Sequence, residues 1–374
     1  MSFLTSPRRL ATLAAGVLLL ALGAATAAPP AGAPQRVASG ITVPATTVAP
    51  QPVAPDLRPA GPSAPVAGRP VPRAQAQARP KEAVAAVRYL PTGTGMWIHD
   101  WGQTENGHAP DVVARAQAAG LTHLYVQTGS SKKGWIGQTV LSQLLPATKG
   151  TDLKVIAWDF PKLLDPEADA RRLAKAARWY RPGVPRVAAV APDIETLSEG
   201  THATRGSIER YYRTLRAALP ARIAILATVP WPSEKRLTRY PYTRTALHVD
   251  AFIPMAYWYN RSPSVVTATS MRVLATLGKP VFPVGQGYDG RLDAPYLAAD
   301  PDPGKSVDAF VAAARAGGAQ SLSLWSWQTT GPLQWSSLSR ASKHFSPAAD
   351  PSVVPVSPKS SRSGWHPGKP LSRG

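Results

Sequence analysis

The sequence predicts a closed (β/α)8 barrel of the TIM type, a single domain from residue 92 to 345, and three observations predict it. Short apolar runs rich in Val, Ile and aromatic residues recur between Gly95 and Phe345. Amphipathic segments of ten to sixteen residues separate them, the pattern of repeated βαβ units on a parallel sheet. The runs number eight, the count that closes such a barrel. A doubly wound open sheet is the alternative topology for the same alternation.

In chain order the predicted strands are Gly95–Trp101, His123–Thr128, Lys154–Phe160, Val187–Glu195, Ile223–Trp231, Ala251–Trp258, Val281–Gln286 and Ser321–Trp327. The helices between them carry start and stop signals. Asp165-Pro166-Glu167 places a capping carboxylate before a first-turn proline, and Ser262-Pro263 does the same with a hydroxyl. Gly120, Gly278 and Gly317 stand where chains leave helices, a position that favours left-handed dihedrals. Ile208, Tyr212, Leu215 and Leu219 fall at near-helical spacing and form one apolar stripe.

Both ends differ in composition from this core. Arg8 and Arg9 precede an uncharged apolar run from Leu10 to Ala27 that ends Ala25-Thr26-Ala27, which reads as an export signal over 1–27. An uncleaved membrane anchor and a twin-arginine route are the alternatives for that segment. From Pro29 to Pro91 there are 14 Pro and 15 Ala in 63 residues, too little apolar surface to offset ordering, so residues 28–91 are expected to be a disordered linker. Residues 346–374 repeat that character as a disordered basic tail. The protein is therefore expected to be secreted or held at the cell surface.

Charge and composition exclude several function classes. The formal charge is +20, of which the core between 92 and 345 carries +10 from 29 basic and 19 acidic residues. Basic ends on an exported chain suggest attraction to an anionic cell-wall polymer. Nucleic acid is the weaker reading, because neither an aromatic-interleaved basic motif nor zinc-finger spacing is present. With no cysteine there is no disulfide framework, thiolate metal site or cysteine nucleophile. A Gly-x-Ser-x-Gly elbow and a phosphate-cradling glycine loop are both missing, which argues against serine-hydrolase and nucleotide chemistry.

Chemistry in such barrels occurs at the C-terminal ends of the strands. Those ends read His99-Asp100-Trp101, Gln127-Thr128, Trp158-Asp159-Phe160, Asp193-Ile194-Glu195, Pro230-Trp231, Tyr257-Trp258, Gln286-Gly287-Tyr288-Asp289 and Trp325-Ser326-Trp327-Gln328. Asp193 and Glu195 are the sharpest feature. Residues two apart on a strand point to the same side, so both carboxylates should face the interior near the mouth. Two acids forced together cannot both ionise easily, which yields a proton donor beside a charged partner. That arrangement suits glycosidic cleavage, although a carboxylate pairing with a neighbouring Arg would give the same spacing an ordinary structural role.

Seven of the eleven tryptophans lie in these runs: Trp97, Trp101, Trp158, Trp231, Trp258, Trp325 and Trp327. Indole faces stack on the apolar faces of sugar rings while carboxylates and amides bind hydroxyls. Strand alternation expects Trp325 and Trp327 to share a side, and Trp97 and Trp101 likewise; the rest divide between mouth and helix layer. Trp327, Trp325, Trp258, Trp231, Trp101, His99, Asp159, Gln286 and Asp289 form the expected substrate-binding set. The rim acids Asp100, Asp159, Asp193, Glu195 and Asp289 suit a divalent cation as an alternative, but no His-x-x-His or His-Glu-x-x-His spacing accompanies them, so neither a metal nor a cofactor is expected. His123 and His248 read as structural, and His99 stands out because Asp100 follows it at a strand end.

These strand ends resemble those of the glycoside hydrolase barrels of family 18 chitinases and family 25 lysozymes, and more broadly exported actinobacterial barrels distantly related to both. Asp193-x-Glu195 is similar to the end of the family 18 acidic motif, Met255-x-Tyr257 to its sixth-strand motif, and an eighth-strand tryptophan is expected there. Ala188 and Ala191 replace that motif's two earlier aspartates, and Trp258 stands after Tyr257 where the family has an acid or amide. The family 25 likeness rests on Asp100, the same Asp193-x-Glu195, and Trp327-Gln328. What the resemblance implies is that Glu195 is general acid and then base, that Asp193 orients and stabilises an oxazolinium if the substrate bears an N-acetyl group, and that Tyr257 holds that group. Asp100 is the alternative second carboxylate. The expectation is an exported glycosidase acting as a monomer on an N-acetylated, cell-wall or chitin-type polysaccharide; the alternative is a non-catalytic wall-binding barrel.

Overall fold

The computed structural model describes residues 87–345. The expected export signal, most of the linker and the tail lie outside the described residues. Within them the order is β1 (Gly93–Ile98), α1 (Ala109–Ala118), β2 (His123–Ser130), β3 (Gly134–Trp135), α2 (Gly137–Ala147), β4 (Lys154–Phe160), α3 (Pro166–Arg178), β5 (Ala189–Pro192) and α4 (Arg205–Ala218). The chain continues through β6 (Ala224–Pro230), α5 (Glu234–Leu237), α6 (Tyr242–Ala246), β7 (Ala251–Ala256), α7 (Pro263–Ala275), β8 (Val284–Gln286), α8 (Pro303–Ala316), β9 (Ser321–Trp325) and α9 (Pro332–Ser342).

Eight strands close into a ring, β1-β2-β4-β5-β6-β7-β8-β9 and back to β1, every neighbour parallel. Ring closure makes this the (β/α)8 barrel and excludes the doubly wound sheet, which has two open edges. β3 stands outside the ring, antiparallel to the end of β2 with Trp135 opposite Gly129.

Strand alternation divides the apolar side chains into two clusters. The outer one, between strands and helices, takes Met96, Ile98, Leu124, Val126, Ile194, Ile225, Phe252, Leu322 and Leu324. The inner one fills the barrel with Trp97, Tyr125, Ile156, Trp158, Ala189, Ala191, Ala224, Leu226, Ala251, Ile253, Met255, Phe282 and Val284. Trp97 stacks on Tyr125 with centroids 4.2 Å apart, and Trp158 and Trp325 meet it tilted at 5.6 and 5.8 Å. Alanines on β5, β6 and β7 leave the volume that these indoles take up, so the interior reaches core density with large residues on one arc and small ones on the other. The register sets Trp158 beside Ala191. An aspartate at 191 would place a carboxylate against that indole in an apolar cluster, which gives a physical reason for the departure from the family 18 motif.

Several local expectations change. Residues 87–91 belong to the barrel rather than to the linker: Arg88 pairs with Asp250 at 2.6 Å, and Tyr89 and Leu90 pack against the inner cluster. After β6 the expected long helix is replaced by the two short helices α5 and α6, because Pro241 between them cannot continue a helix while Tyr240 and Tyr242 on either side are buried. Asp165 and Ser262 cap α3 and α7 as their sequences predict. Gly120 and Gly278 have φ of +71° and +70°, whereas after α8 it is Gly318, not Gly317, that takes the left-handed turn. The ladders also stop earlier than the apolar runs, at Ile98, Pro192, Ala256 and Trp325. Beyond those points alternation no longer fixes which way a side chain faces.

Candidate functional site

Asp193 lies just past β5, where the ladder still holds it, and Glu195 follows two residues on. Asp193 bridges Thr228 on β6, and the Ile194 amide donates to the Thr228 carbonyl at 3.2 Å. Ile194 is fully buried in the outer cluster, so the bridged Asp193 before it continues the inward parity of Ala189 and Ala191. Asp193 is buried and its Oδ1 accepts no hydrogen bond from the protein; Glu195 is half-buried. Burial pushes the Asp193 carboxyl up to about 7, with the charge of Asp159 adding and that of Lys162 opposing. Burial likewise holds Glu195 well above the usual carboxylate range, reinforced by Asp193 and Glu199 and opposed by Arg236 and Lys162. A protonated acid beside a second acid is what a proton-donating site requires.

Tyr257, one residue past β7, packs on the inner cluster and lies within the field of both carboxylates, which together with burial keeps its hydroxyl protonated. Its ring meets Tyr288 edge-on at 5.7 Å. Tyr288 and Tyr259 both donate to Asp293, at 2.6 and 3.1 Å, so a tyrosine–carboxylate network backs Tyr257. Trp325 also faces inward, between Trp158 at 5.3 Å and His99 at 5.6 Å.

His99 and Asp100 stand on another part of the mouth. They line a cleft of about 410 Å³ with Trp101, Gln127, Lys133 and Trp135, beside β1 and β2, which none of Asp193, Glu195 and Tyr257 lines. The Asp100 carboxylate accepts from the Gln103 amide at 3.2 Å and from its side chain at 3.0 Å. Burial lowers the pKa of His99, Asp100 opposes and Lys133 adds to the lowering, so the ring is neutral near pH 7. Trp101 donates to Gln143 at 2.5 Å and leans on the outer cluster rather than sharing the side of Trp97, because β1 ends at Ile98.

Other expected site residues are placed elsewhere. Asp159 faces α3, fully buried, where Arg172 clasps it through Nε and Nη2 at 2.8 and 2.6 Å. That is the ordinary arginine pairing, and it removes Asp159 from the mouth. Trp258 is buried against Phe310 of α8. Trp327 does not share the side of Trp325, since β9 ends at Trp325. Its ring packs edge-on against Trp335 at 5.0 Å and its indole N–H donates to Glu105 at 3.0 Å. Asp289 is taken up by Arg291. Gln286 faces inward but is buried and spent, accepting from the Tyr259 amide at 2.8 Å and donating to the Tyr288 carbonyl at 3.1 Å. Among the described residues no group of three or more His, Asp or Glu side chains is arranged to hold a metal ion.

Three cations on this side of the barrel were not expected. Lys162 follows β4 by two residues, donates to the Glu199 carbonyl, lies 4.2 Å from the Phe160 ring and bears on both carboxylates. Arg236 and Arg261 approach the half-buried Trp231 ring at 5.9 and 5.8 Å. Strand ends alone do not reveal them, because each comes from a segment after the strand, Arg236 from the short helix α5; the signal available was a basic residue two to five positions past an aromatic strand end.

The fold and the position of the acids define a (β/α)8 barrel with a carboxylate pair at its mouth. No protein-family model matches the chain, and no curated protein matches it in sequence. Among solved structures it is similar to the endo-beta-1,4-mannanase from Thermotoga petrophila, with a TM-score of 0.51 at 10% identity over 69% of this chain and 78% of that one. A class V chitinase from Pseudomonas fluorescens Pf-5 gives 0.49 at 14% identity, covering 67% of this chain and 99% of its own. A family GH18 chitinase from Cycas revoluta gives 0.48 at 12% identity, covering 68% and 99%. At these identities the likeness is one of fold.

Proposed function

We propose that this protein is a glycoside hydrolase that cleaves an N-acetylated polysaccharide of the cell-wall or chitin type, acting outside the cytoplasm. The observation that carries the reading is the Asp193–Glu195 pair: two carboxylates at a barrel mouth, both pushed up by burial, with Tyr257 in the same field. Glu195, whose carboxyl burial holds well above the usual carboxylate range, donates its proton to the glycosidic oxygen as the bond from that oxygen to the anomeric carbon breaks. The substrate's N-acetyl oxygen closes on the anomeric carbon, Asp193 stabilises the resulting oxazolinium, and Tyr257 holds the acetamido group. Water then adds at the anomeric carbon and returns its proton to Glu195. Asp100 lies on the separate cleft beside β1 and β2, so it is not the second carboxylate in this scheme.

The test is reducing-end release from chitin-type polymer and purified cell walls by the wild type and by Glu195→Gln. Release by the wild type and none by the variant, at equal melting temperature, supports the reading. No release from either substrate by a wild type that still binds them favours the second reading, a non-catalytic polysaccharide-binding barrel. That reading draws on Ala188 and Ala191, which leave Asp193 without the two further aspartates of the family 18 motif.

A further inference from the structure

We infer that the site takes a sugar bearing a carboxylate, which Arg236 and Arg261 hold on the β6–β7 side of the acid pair. This rests on reading Glu195 as the reacting acid and names the substrate class that such an acid serves. Trp231 ends the β6 run, and two segments bring guanidinium groups to its ring: Arg236 from α5 at 5.9 Å and Arg261 from the segment after β7 at 5.8 Å. Cation–π contact orders both groups on the indole. Neither forms an ion pair with a carboxylate, and neither side chain donates a hydrogen bond to a protein acceptor among the described residues, so their N–H edges are free for a ligand. Most other ordered arginine clusters of the barrel are already engaged: Arg172 by Asp159 and Asp169, Arg88 and Arg216 by Asp250, Arg291 by Asp289.

Arg236 ties this cluster to the acids. The charge of Arg236 reaches Glu195 and pulls its pKa down against burial, and Lys162 acts on both carboxylates from the β4 side. A neutral chitin-type chain offers two unpaired guanidinium groups only neutral hydroxyl and acetamido oxygens, whereas a carboxylate matches the guanidinium fork in two parallel charge-assisted hydrogen bonds. The same carboxylate chemistry comes from a ring uronate or from an ether-linked lactyl group on an amino sugar.

The experiment uses the full chain carrying Glu195→Gln, so that binding is measured without turnover, at low salt and pH 7. Probes are a hyaluronan oligosaccharide, which carries N-acetyl groups and ring uronates, its carboxyl-reduced neutral form, a peptidoglycan glycan fragment with lactyl carboxylates, and chitohexaose. The expected result by calorimetry is about tenfold or more tighter binding of one carboxylated probe than of its neutral counterpart. That preference disappears in Arg236→Gln/Arg261→Gln while binding of the neutral probe and the melting temperature are unchanged. Which probe shows it distinguishes uronate from lactyl carboxylate. Equal affinity for charged and neutral probes, or a preference that survives the double substitution, overturns the inference. An arginine-dependent preference in a wild type that releases no reducing ends keeps the inference and removes the hydrolase; release from neutral chitin with no preference does the reverse.

Discussion

Replacing Asp193 by Asn should stabilise the barrel at alkaline pH relative to the wild type. The folded carboxyl titrates near 7 while an unfolded aspartate titrates near ~3.9. The native state therefore binds the Asp193 proton more tightly than the unfolded state does. Its contribution is fully present below about pH 4 and is lost as pH rises through about 7, leaving a buried carboxylate whose Oδ1 has no protein partner. Three units at ~1.36 kcal/mol each set an upper bound of about 4 kcal/mol, and relaxation around a charged Asp193 lowers it to about half that. Asn keeps the shape and never ionises, so the stability difference between variant and wild type should grow in the variant's favour by about 2 to 4 kcal/mol between pH 4 and pH 9. Urea unfolding midpoints across that range measure it. A difference that stays constant with pH would show that Asp193 is not held against its own ionisation, and the proton-donor account would lose its electrostatic basis.

Hydrolysis should persist into neutral pH and fall on an alkaline limb as Glu195 loses its proton, and Asp193→Asn should move that limb to lower pH because a charge that raises the Glu195 pKa is gone; a pH–rate profile of residual activity reads the direction. Arg172→Leu strands the buried carboxylates of Asp159 and Asp169 and should cost about 3 to 5 kcal/mol in thermal or urea unfolding. A cost near zero would mean that Asp159 is not committed to α3. Trp327→Ala should cost about 3 to 5 kcal/mol by removing a buried indole from Trp335, with sugar affinity per folded molecule unchanged. Trp327→Ala that weakens sugar binding while leaving stability intact would return Trp327 to the site.

The barrel was legible in the chain because its two determinants are periodic. Eight apolar runs and their helical spacers repeat, and all eight ring strands overlap their predicted runs. The expected inward face of Asp193 rests on the same periodicity: Ile194 packs outward, and the bridge to Thr228 carries the ladder one residue past β5. What periodicity could not reach was the position where each ladder stops. Trp325 and Trp327 were expected on one side, but β9 ends at Trp325 and the next residues fold onto α9. Asp159 lies within β4 and read as a rim acid, yet its partner Arg172 is a helix residue 13 positions on, and a strand-end pattern carries no information about it. Lys162 and Arg261 come from loops and Arg236 from the one-turn helix α5, where direction depends on local contacts, here with Phe160 and Trp231.

The central claim is that Glu195 donates the proton that breaks a glycosidic bond. Reducing-end formation from a soluble N-acetylated oligosaccharide, followed for wild type and Glu195→Gln at matched concentrations of folded protein, tests it most directly. The account predicts release by the wild type and a loss of about 10² to 10⁴-fold in the variant, with the melting temperature preserved. Equal release by the two proteins would contradict it.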